Sequence, residues 1–464
     1  MRYWHAAFAL LLAAGIAALL TPLAARFARR VGAIDFPRAR GLSERPTPKL
    51  GGLAILAGAL VAALVWLPAT IRLPHVPHTP PGSGGTVHTW AILTGAALIT
   101  LVGAIDDWRE LSPPVKLVGQ ALAAVIAVEG GVNVTSVVIP FVGALEFPNE
   151  GGVISAVWLV AIMNIVNFSD GVDGLAGGLC AIDGIAFAVI IFDLRGGSTA
   201  AAMLAALTAG ASLGFLIYNF PPASVFMGDS GANLLGYLLG VVAVIGSIKT
   251  GAVVALAAPL LILAVPFLDT GFVVAKRLKY HRKPWSADAS HFHHRMARIG
   301  FSPRRTVAYL YGWTLLLAGV ALALRFVPYS NHRGQYHLGW SLVMAAILLV
   351  ALAASVYLVY VLEILKFKRL RARQLRTLAP ETGEHEIERI VERDVATGEF
   401  EAVHLEEGDT GEFEALSEQG AGERGGCEQR PARGSNGSDL GGAGRCDGAE
   451  DHETGEFERV GDRG

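Results

Sequence analysis

Apolar runs long enough to cross a bilayer recur from residue 4 to about residue 365. A helix of about 20 apolar residues spans the hydrocarbon core and satisfies its backbone N–H and C=O groups within itself. A chain of such runs is expected to fold as an all-α, polytopic integral membrane protein. Eleven candidate spans can be counted, at about 4–26, 50–68, 90–105, 115–129, 153–167, 174–192, 199–218, 232–248, 251–273, 306–327 and 338–364. The third and fifth are short. No A-x-A-like cleavage site follows the first run, so it reads as a spanning helix and not a removed leader.

Composition adds one division. The hydrophobic share is 52% and the charged share 17%, but the closing ~100 residues are polar, acidic and Gly-rich. The formal net charge of -2 therefore averages two unlike parts. Residues 1–365 are expected to form the membrane domain. Residues 366–464 are expected to hold a basic juxtamembrane segment and a disordered tail, because the tail is too poor in large apolar residues to bury a core. A Thr-Gly-Glu-Phe-Glu unit recurs there at 397–401, 410–414 and 454–458. The three cysteines, Cys180, Cys427 and Cys446, show neither a disulfide framework nor a zinc spacing.

Orientation follows from Lys and Arg in the loops. Seven basic residues between Arg26 and Lys49 follow span 1, and only Arg72 follows span 2. Arg109 and Lys116 follow span 3, none follows span 4, and nine from Lys276 to Arg305 follow span 9. Lys366, Lys368, Arg369, Arg371, Arg373 and Arg376 follow span 11. The pattern predicts an outside N-terminus and a cytoplasmic C-terminus. It also puts four polar groups on the cytoplasmic side, although their Asp, Asn and His residues were not used to set the orientation.

The first group is Gly103-Ala-Ile-Asp106-Asp107-Trp108, followed by Lys116. Adjacent carboxylates suit cation binding or a base poised by its neighbour, and they also occur as solvated helix ends. The second runs from Asn164 through Asn167, Asp170 and Asp173 to Gly174. Its i, i+3 spacing aligns four oxygen-bearing side chains if the helix persists. Hard oxygen donors of this kind suit Mg²⁺, with Mn²⁺ as the alternative ion. Asn inside an apolar span is costly without a task. The third runs from Asn219 to Phe226-Met-Gly-Asp229-Ser-Gly231. Asp229 lies between glycines that admit a ligand to the backbone, and it opens a span whose N-terminal N–H groups can meet an anion. The plain alternative is an Asp N-cap. The fourth is Asp288-Ala-Ser-His291-Phe-His293-His294-Arg295, three histidines in a basic loop that suit phosphate oxygens better than a transition metal. Carboxylates and amides for Mg²⁺, cations for phosphate and a membrane scaffold together point to phosphoryl transfer near lipid. No P-loop, dinucleotide fingerprint or nucleophile elbow is present.

In order and spacing these four motifs resemble the polyprenyl-phosphate N-acetylhexosamine-1-phosphate transferase superfamily, glycosyltransferase family 4. Its members start O-antigen (lipopolysaccharide), teichoic acid and arabinogalactan synthesis or act as phospho-MurNAc-pentapeptide translocases. The resemblance covers residues 30–305, and the histidine motif resembles the GlcNAc-1-phosphate branch. It implies a bacterial cytoplasmic-membrane enzyme with UDP-GlcNAc as donor, undecaprenyl or decaprenyl phosphate as acceptor, and UMP as released product. A homodimer is admitted, and no nucleic-acid partner is expected. The resemblance further implies catalytic roles for Asp106, Asp107 and Asp229, with Asp229, Asn167 and Asp170 at the metal. Asn164, Asp173, Asn219, Phe226, His291, His293, His294 and Lys116 would contact substrate. In the first loop, Arg40-x-x-Ser43-x-x-Pro46-x-Pro48-Lys49-x-Gly51-Gly52 departs from the family pattern, with Ser43 in place of His and Lys49 in place of Arg. The alternatives are UDP-MurNAc-pentapeptide as donor and, outside enzymes, a polytopic transporter. Transporters usually bind near the bilayer midplane, whereas these groups gather at one face.

Overall fold

The computed structural model describes residues 2–36, 46–72, 85–134, 136–139, 143–147, 150–193, 198–246, 263–265, 267–268, 296, 301–327, 337–378 and 391. The chain divides into two units, Met1–Glu401 and Ala402–Gly464, and every described residue belongs to the first.

Ten helices are described: α1 (Arg2–Val31), α2 (Gly51–Trp66), α3 (Thr89–Arg109), α4 (Pro113–Glu129), α5 (Gly151–Ser169), α6 (Leu175–Asp193), α7 (Thr199–Asn219), α8 (Gly228–Gly246), α9 (Pro303–Phe326) and α10 (Leu338–Leu378). Among the described residues, eight of them (α1, α3 and α5 to α10) are long and apolar enough to cross a membrane; α2 is a shorter apolar helix. The chain is a helical, multi-pass membrane protein. The expected span at 251–273 lies almost entirely outside the described residues, as does the Thr-Gly-Glu-Phe-Glu tail.

The third and fifth spans are not short. α3 has 21 residues, because the helix continues through Asp106–Arg109 where the apolar run stops, and α5 has 19, because it starts at Gly151 and runs on to Ser169. Asp106 and Asp107 thus lie in the last turn of α3, and Asn164 and Asn167 lie within α5. Likewise the helix of span 11 does not stop at the basic stretch after residue 365 but continues to Leu378 as part of α10.

Small residues bring the helices together. On α7, a Cβ added at Gly210 or Gly214 would fall 2.1 Å from the Leu10 or Ala14 carbonyl of α1, so only a bare backbone fits there. Such small-xxx-small pairs drive close helix packing where lipid offers no hydrophobic contrast. α8 is the most enclosed helix and packs against α3, α5, α2 and α7. α9 packs on α6 through a second cluster that includes Leu175, Leu179, Val307, Leu310 and Leu317. Three short antiparallel hairpins join helices: β1 (Ile34–Asp35) with β2 (Thr47–Pro48), β3 (Thr70–Arg72) with β4 (Thr86–His88), and β5 (Ser136–Ile139) with β6 (Gly143–Glu146).

Candidate active site

The C-terminal ends of α3, α5 and α7 meet the N-terminal ends of α2, α4, α6 and α8, as the contacts between them show. Three of the four polar motifs are thereby gathered at one end of the bundle. The residues His291, His293 and His294 lie outside the described residues.

At the centre stands Lys116, in the first turns of α4. Ser112 and the Pro113-Pro114 pair set the start of this helix, since Pro suits the first helical position. The Lys116 ammonium is 2.6 Å from Asp106 Oδ2 and 3.0 Å from Asp229 Oδ2. Asp106 Oδ1 also accepts the Leu111 N–H at 2.7 Å, which fastens the α3–α4 turn. Asn167 Nδ2 donates to the second oxygen of Asp229 at 3.1 Å. Asp106 is buried, whereas the Lys116 and Asp229 side chains keep about a third of their surface open.

Asp107 plays a different part from its neighbour. Its Oδ1 accepts the Asp229 N–H at 2.9 Å and its Oδ2 the Ser230 N–H at 3.1 Å. A carboxylate on α3 thus caps α8 from outside. This corrects the expectation of free N–H groups at that helix start, because Asp107 takes two of them. It also excludes Asp229 as the cap. The flanking glycines have a packing reason: Gly228 adopts φ 69, where a Cβ would fall 2.3 Å from Asp107 Oδ2, and a Cβ on Gly231 would strike Met227.

The expected stripe of four side chains breaks after α5 ends at Ser169. Asn164 and Asn167 share a face. Asp170 terminates the helix, and the Asp173 Oδ2 turns to accept the Ala223 N–H at 2.8 Å. Asn219 is buried between the two loops. Its Oδ1 accepts the Gly174 N–H at 2.9 Å and its Nδ2 donates to the Val225 carbonyl at 3.0 Å. Phe226 is half-buried, with backbone bonds to Pro48 and Gly51, while the Gly52 N–H donates to Met227. The Pro48-Lys49-Leu-Gly51-Gly52 turn therefore clasps the Phe226-Met-Gly-Asp229 loop, although its Lys49 pairs with Asp35 at 3.5 Å.

Burial pushes the Asp170 carboxyl well above the usual carboxylate range, and the charges of Asp229, Asp107 and Asp173 add to the shift. Among the described residues, no cation or hydrogen-bond donor meets that carboxylate. Burial also raises Asp173, against the pull of the Ala223 N–H. No three His, Cys, Asp or Glu side chains among the described residues stand close enough to hold a metal by themselves. Mg²⁺ does not require that, because it keeps waters and is commonly held by one or two carboxylates plus substrate phosphates. The half-buried Asp170, which feels the charge of Asp229, and the Asn167 amide on Asp229 form with it an oxygen donor set that fits such an ion.

Four contributors were not expected. Gln120 and Asn233 link α4 to α8 below Lys116 and Asp229. On α9, Arg304 Nε donates to the Pro221 carbonyl at 2.9 Å and the Tyr311 hydroxyl to the Gly174 carbonyl at 2.5 Å, so α9 braces both loops. Gln120 and Asn233 carried a signal, since each is an amide in an apolar helix. Arg304 and Tyr311 carried none.

The family model described as glycosyl transferase family 4 matches residues 89–247, which include Asp106, Asp107, Lys116, Asn167 and Asp229. A decaprenyl-phosphate N-acetylglucosaminephosphotransferase of Mycolicibacterium smegmatis (strain ATCC 700084 / mc(2)155) is 36% identical over 342 residues, covering 67% of this chain and 81% of that protein. This chain belongs to glycosyl transferase family 4. The corresponding Mycobacterium leprae (strain TN) protein is 35% identical, covering 68% of this chain and 83% of its own. A relative of a different name also matches. A phospho-N-acetylmuramoyl-pentapeptide-transferase of Desulforudis audaxviator (strain MP104C) is 32% identical over 68% of this chain and 97% of that protein. The described end of the bundle links Asp106, Asp107 and Asn167 to Asp229, directly or through Lys116, and Asp170 feels the charges of Asp229, Asp107 and Asp173.

Proposed function

We propose that this family 4 transferase moves GlcNAc-1-phosphate from UDP-GlcNAc to a polyprenyl phosphate, on the cytoplasmic face of a bacterial membrane. An oxygen of the lipid phosphate attacks the sugar-linked phosphorus. The bond from that phosphorus to the bridging oxygen breaks, and UMP leaves with the electron pair. The product is polyprenyl-diphosphate-GlcNAc, the first intermediate of a cell-envelope polysaccharide.

The observation that carries this reading is the Lys116 ammonium held between Asp106 and Asp229, with Asn167 on the far oxygen of Asp229. Phosphoryl transfer asks the protein mainly for positioning and charge neutralisation. Lys116 offers a cation to phosphate oxygens, and Asp106 at its side orients the attacking lipid phosphate. Asp107 acts through the backbone, by fixing the start of α8 and hence Asp229. The 170–174 and 220–227 loops, tied by Asn219 and Asp173, form the floor for the nucleotide, with the half-buried Phe226 ring available to stack on a base. Asp229, Asp170 and Asn167 would hold Mg²⁺, which would neutralise diphosphate charge. A transporter would concentrate its binding groups near the middle of broken helices, whereas these groups gather at helix ends.

The test is a two-donor assay on the purified full-length protein in detergent with a short-chain polyprenyl phosphate. UMP release from UDP-GlcNAc, lost when Mg²⁺ is withheld, is expected. Turnover with only UDP-MurNAc-pentapeptide would overturn the donor assignment.

A further inference from the structure

Below the Lys116 centre lies a second polar layer on the same three helices. Gln120 follows Lys116 by four residues on α4, and Asn233 follows Asp229 by four on α8. Asn164 precedes Asn167 by three on α5. Each spacing places the two side chains on one helix face, one turn apart. The outer layer joins Lys116, Asp229 and Asn167 at 3.0 and 3.1 Å. The inner layer joins the same three helices through amides, with the α4 residue Gln120 at its centre where the outer layer centres on Asp229 of α8. Gln120 Nε2 donates to Asn233 Oδ1 at 2.8 Å, and Asn164 Nδ2 donates to Gln120 Oε1 at 2.7 Å. Asn233 Nδ2 then closes onto the Asp229 carbonyl at 2.8 Å.

Gln120 is 4% exposed and Asn233 is 5% exposed. Amides so enclosed in apolar helices are costly unless satisfied. Here each is satisfied by another, which makes the set a unit. An apolar contact would hold α4, α5 and α8 together and still let them slide. Directional bonds between amides fix the offset along each axis. The geometry points to Gln120 and Asn233 as positioning residues: with Asn164 they form an amide layer that sets the register of Lys116, Asp229 and Asn167 one turn away. This role rests on the transferase reading above. A site of this kind loses activity when its groups drift by an ångström, by about a hundredfold.

The experiment uses full-length Gln120→Met, Asn233→Leu and their double variant, beside the wild type and Asp229→Asn. Folded fraction, Tm, kcat and the KM for UDP-GlcNAc are measured on each. The expected result is a fall in kcat per folded molecule of about tenfold to a hundredfold in each single variant. KM should change little, and the double variant should be no worse than the poorer single, because the layer acts as a unit. A lower Tm or folded yield at unchanged kcat overturns the proposal, since that is what a purely structural pair would show. If the apolar variants do not fold, the length exchange decides. Gln120→Asn alone should lower kcat, and adding Asn233→Gln should recover the part carried by the α4–α8 bond, though not the part carried by Asn164; no recovery at all overturns the layer. A wild type that releases no UMP ends the transferase reading and this role with it. An active wild type with a dead Asp229→Asn and fully active Gln120 and Asn233 variants overturns the layer alone.

Discussion

Replacing Lys116 by Met keeps an unbranched chain of similar length and removes only the charge. The ammonium touches Asp106 Oδ2 at 2.6 Å and Asp229 Oδ2 at 3.0 Å. The two oxygens are therefore no more than about 6 Å apart, a separation at which like charges repel by about 3 kcal/mol at an effective dielectric constant of 20. With 35% of the Lys116 side chain exposed, water screens part of this, and about 2 kcal/mol remains. If the site needs both carboxylates where Lys116 holds them, that energy appears in the barrier and lowers kcat about 30-fold. The assay is UMP release from UDP-GlcNAc with polyprenyl phosphate in detergent, alongside thermal unfolding. The melting temperature of Lys116→Met should fall too, and adding Asp106→Asn should recover it by removing one of the repelling charges, without restoring turnover. A Lys116→Met enzyme with wild-type kcat and unchanged melting temperature would refute the reasoning.

Other perturbations follow from the same contacts. Asp107→Leu leaves the Asp229 and Ser230 N–H groups without their acceptor and should cost about 3 kcal/mol, read as a lower melting temperature; Asp107→Asn, which keeps one acceptor oxygen, should cost about half as much. Gly228→Ala puts a Cβ at a positive φ and against the Asp107 carboxylate, so it should lower both the melting temperature and kcat, by about 1–2 kcal/mol in stability. Tyr311→Phe removes the hydroxyl that holds the Gly174 carbonyl; it should cost about 1 kcal/mol and raise the KM for UDP-GlcNAc several-fold with kcat little changed, as the floor under the nucleotide loosens.

Much of the architecture is legible from apolar runs because the bilayer fixes helix length. The errors came where the helices turn polar. Asp106 and Asp107 were expected just after span 3 because hydropathy drops there, yet they lie in the last turn of α3, where the neighbouring helix ends supply their partners, whereas Asn164 and Asn167 are helical as their span implied. The motif residues were legible as a group, and three of the groups do converge. Their individual roles were less so. Asp106 and Asp107 are adjacent in the chain, but one faces an ammonium and the other caps a helix 122 residues away. The close approach of α3 to α8 at Gly103 and Ser230 brings Asp107 to the start of α8, a contact that no local pattern shows. Gln120 and Asn233 could have been flagged by the argument that singled out Asn164, namely an amide in an apolar helix. Arg304 and Tyr311 act 83 and 137 residues from their acceptors, and no local pattern announces such a reach.

On the proposed reading, this end of the bundle transfers a sugar phosphate to a lipid phosphate. The most direct measurement is mass detection of polyprenyl-diphosphate-GlcNAc together with UMP, from purified wild type and Asp229→Asn given UDP-GlcNAc, polyprenyl phosphate and Mg²⁺. Equal amounts of both products are expected from the wild type and neither from Asp229→Asn. UMP without the lipid product, or undiminished lipid product from Asp229→Asn, would contradict it.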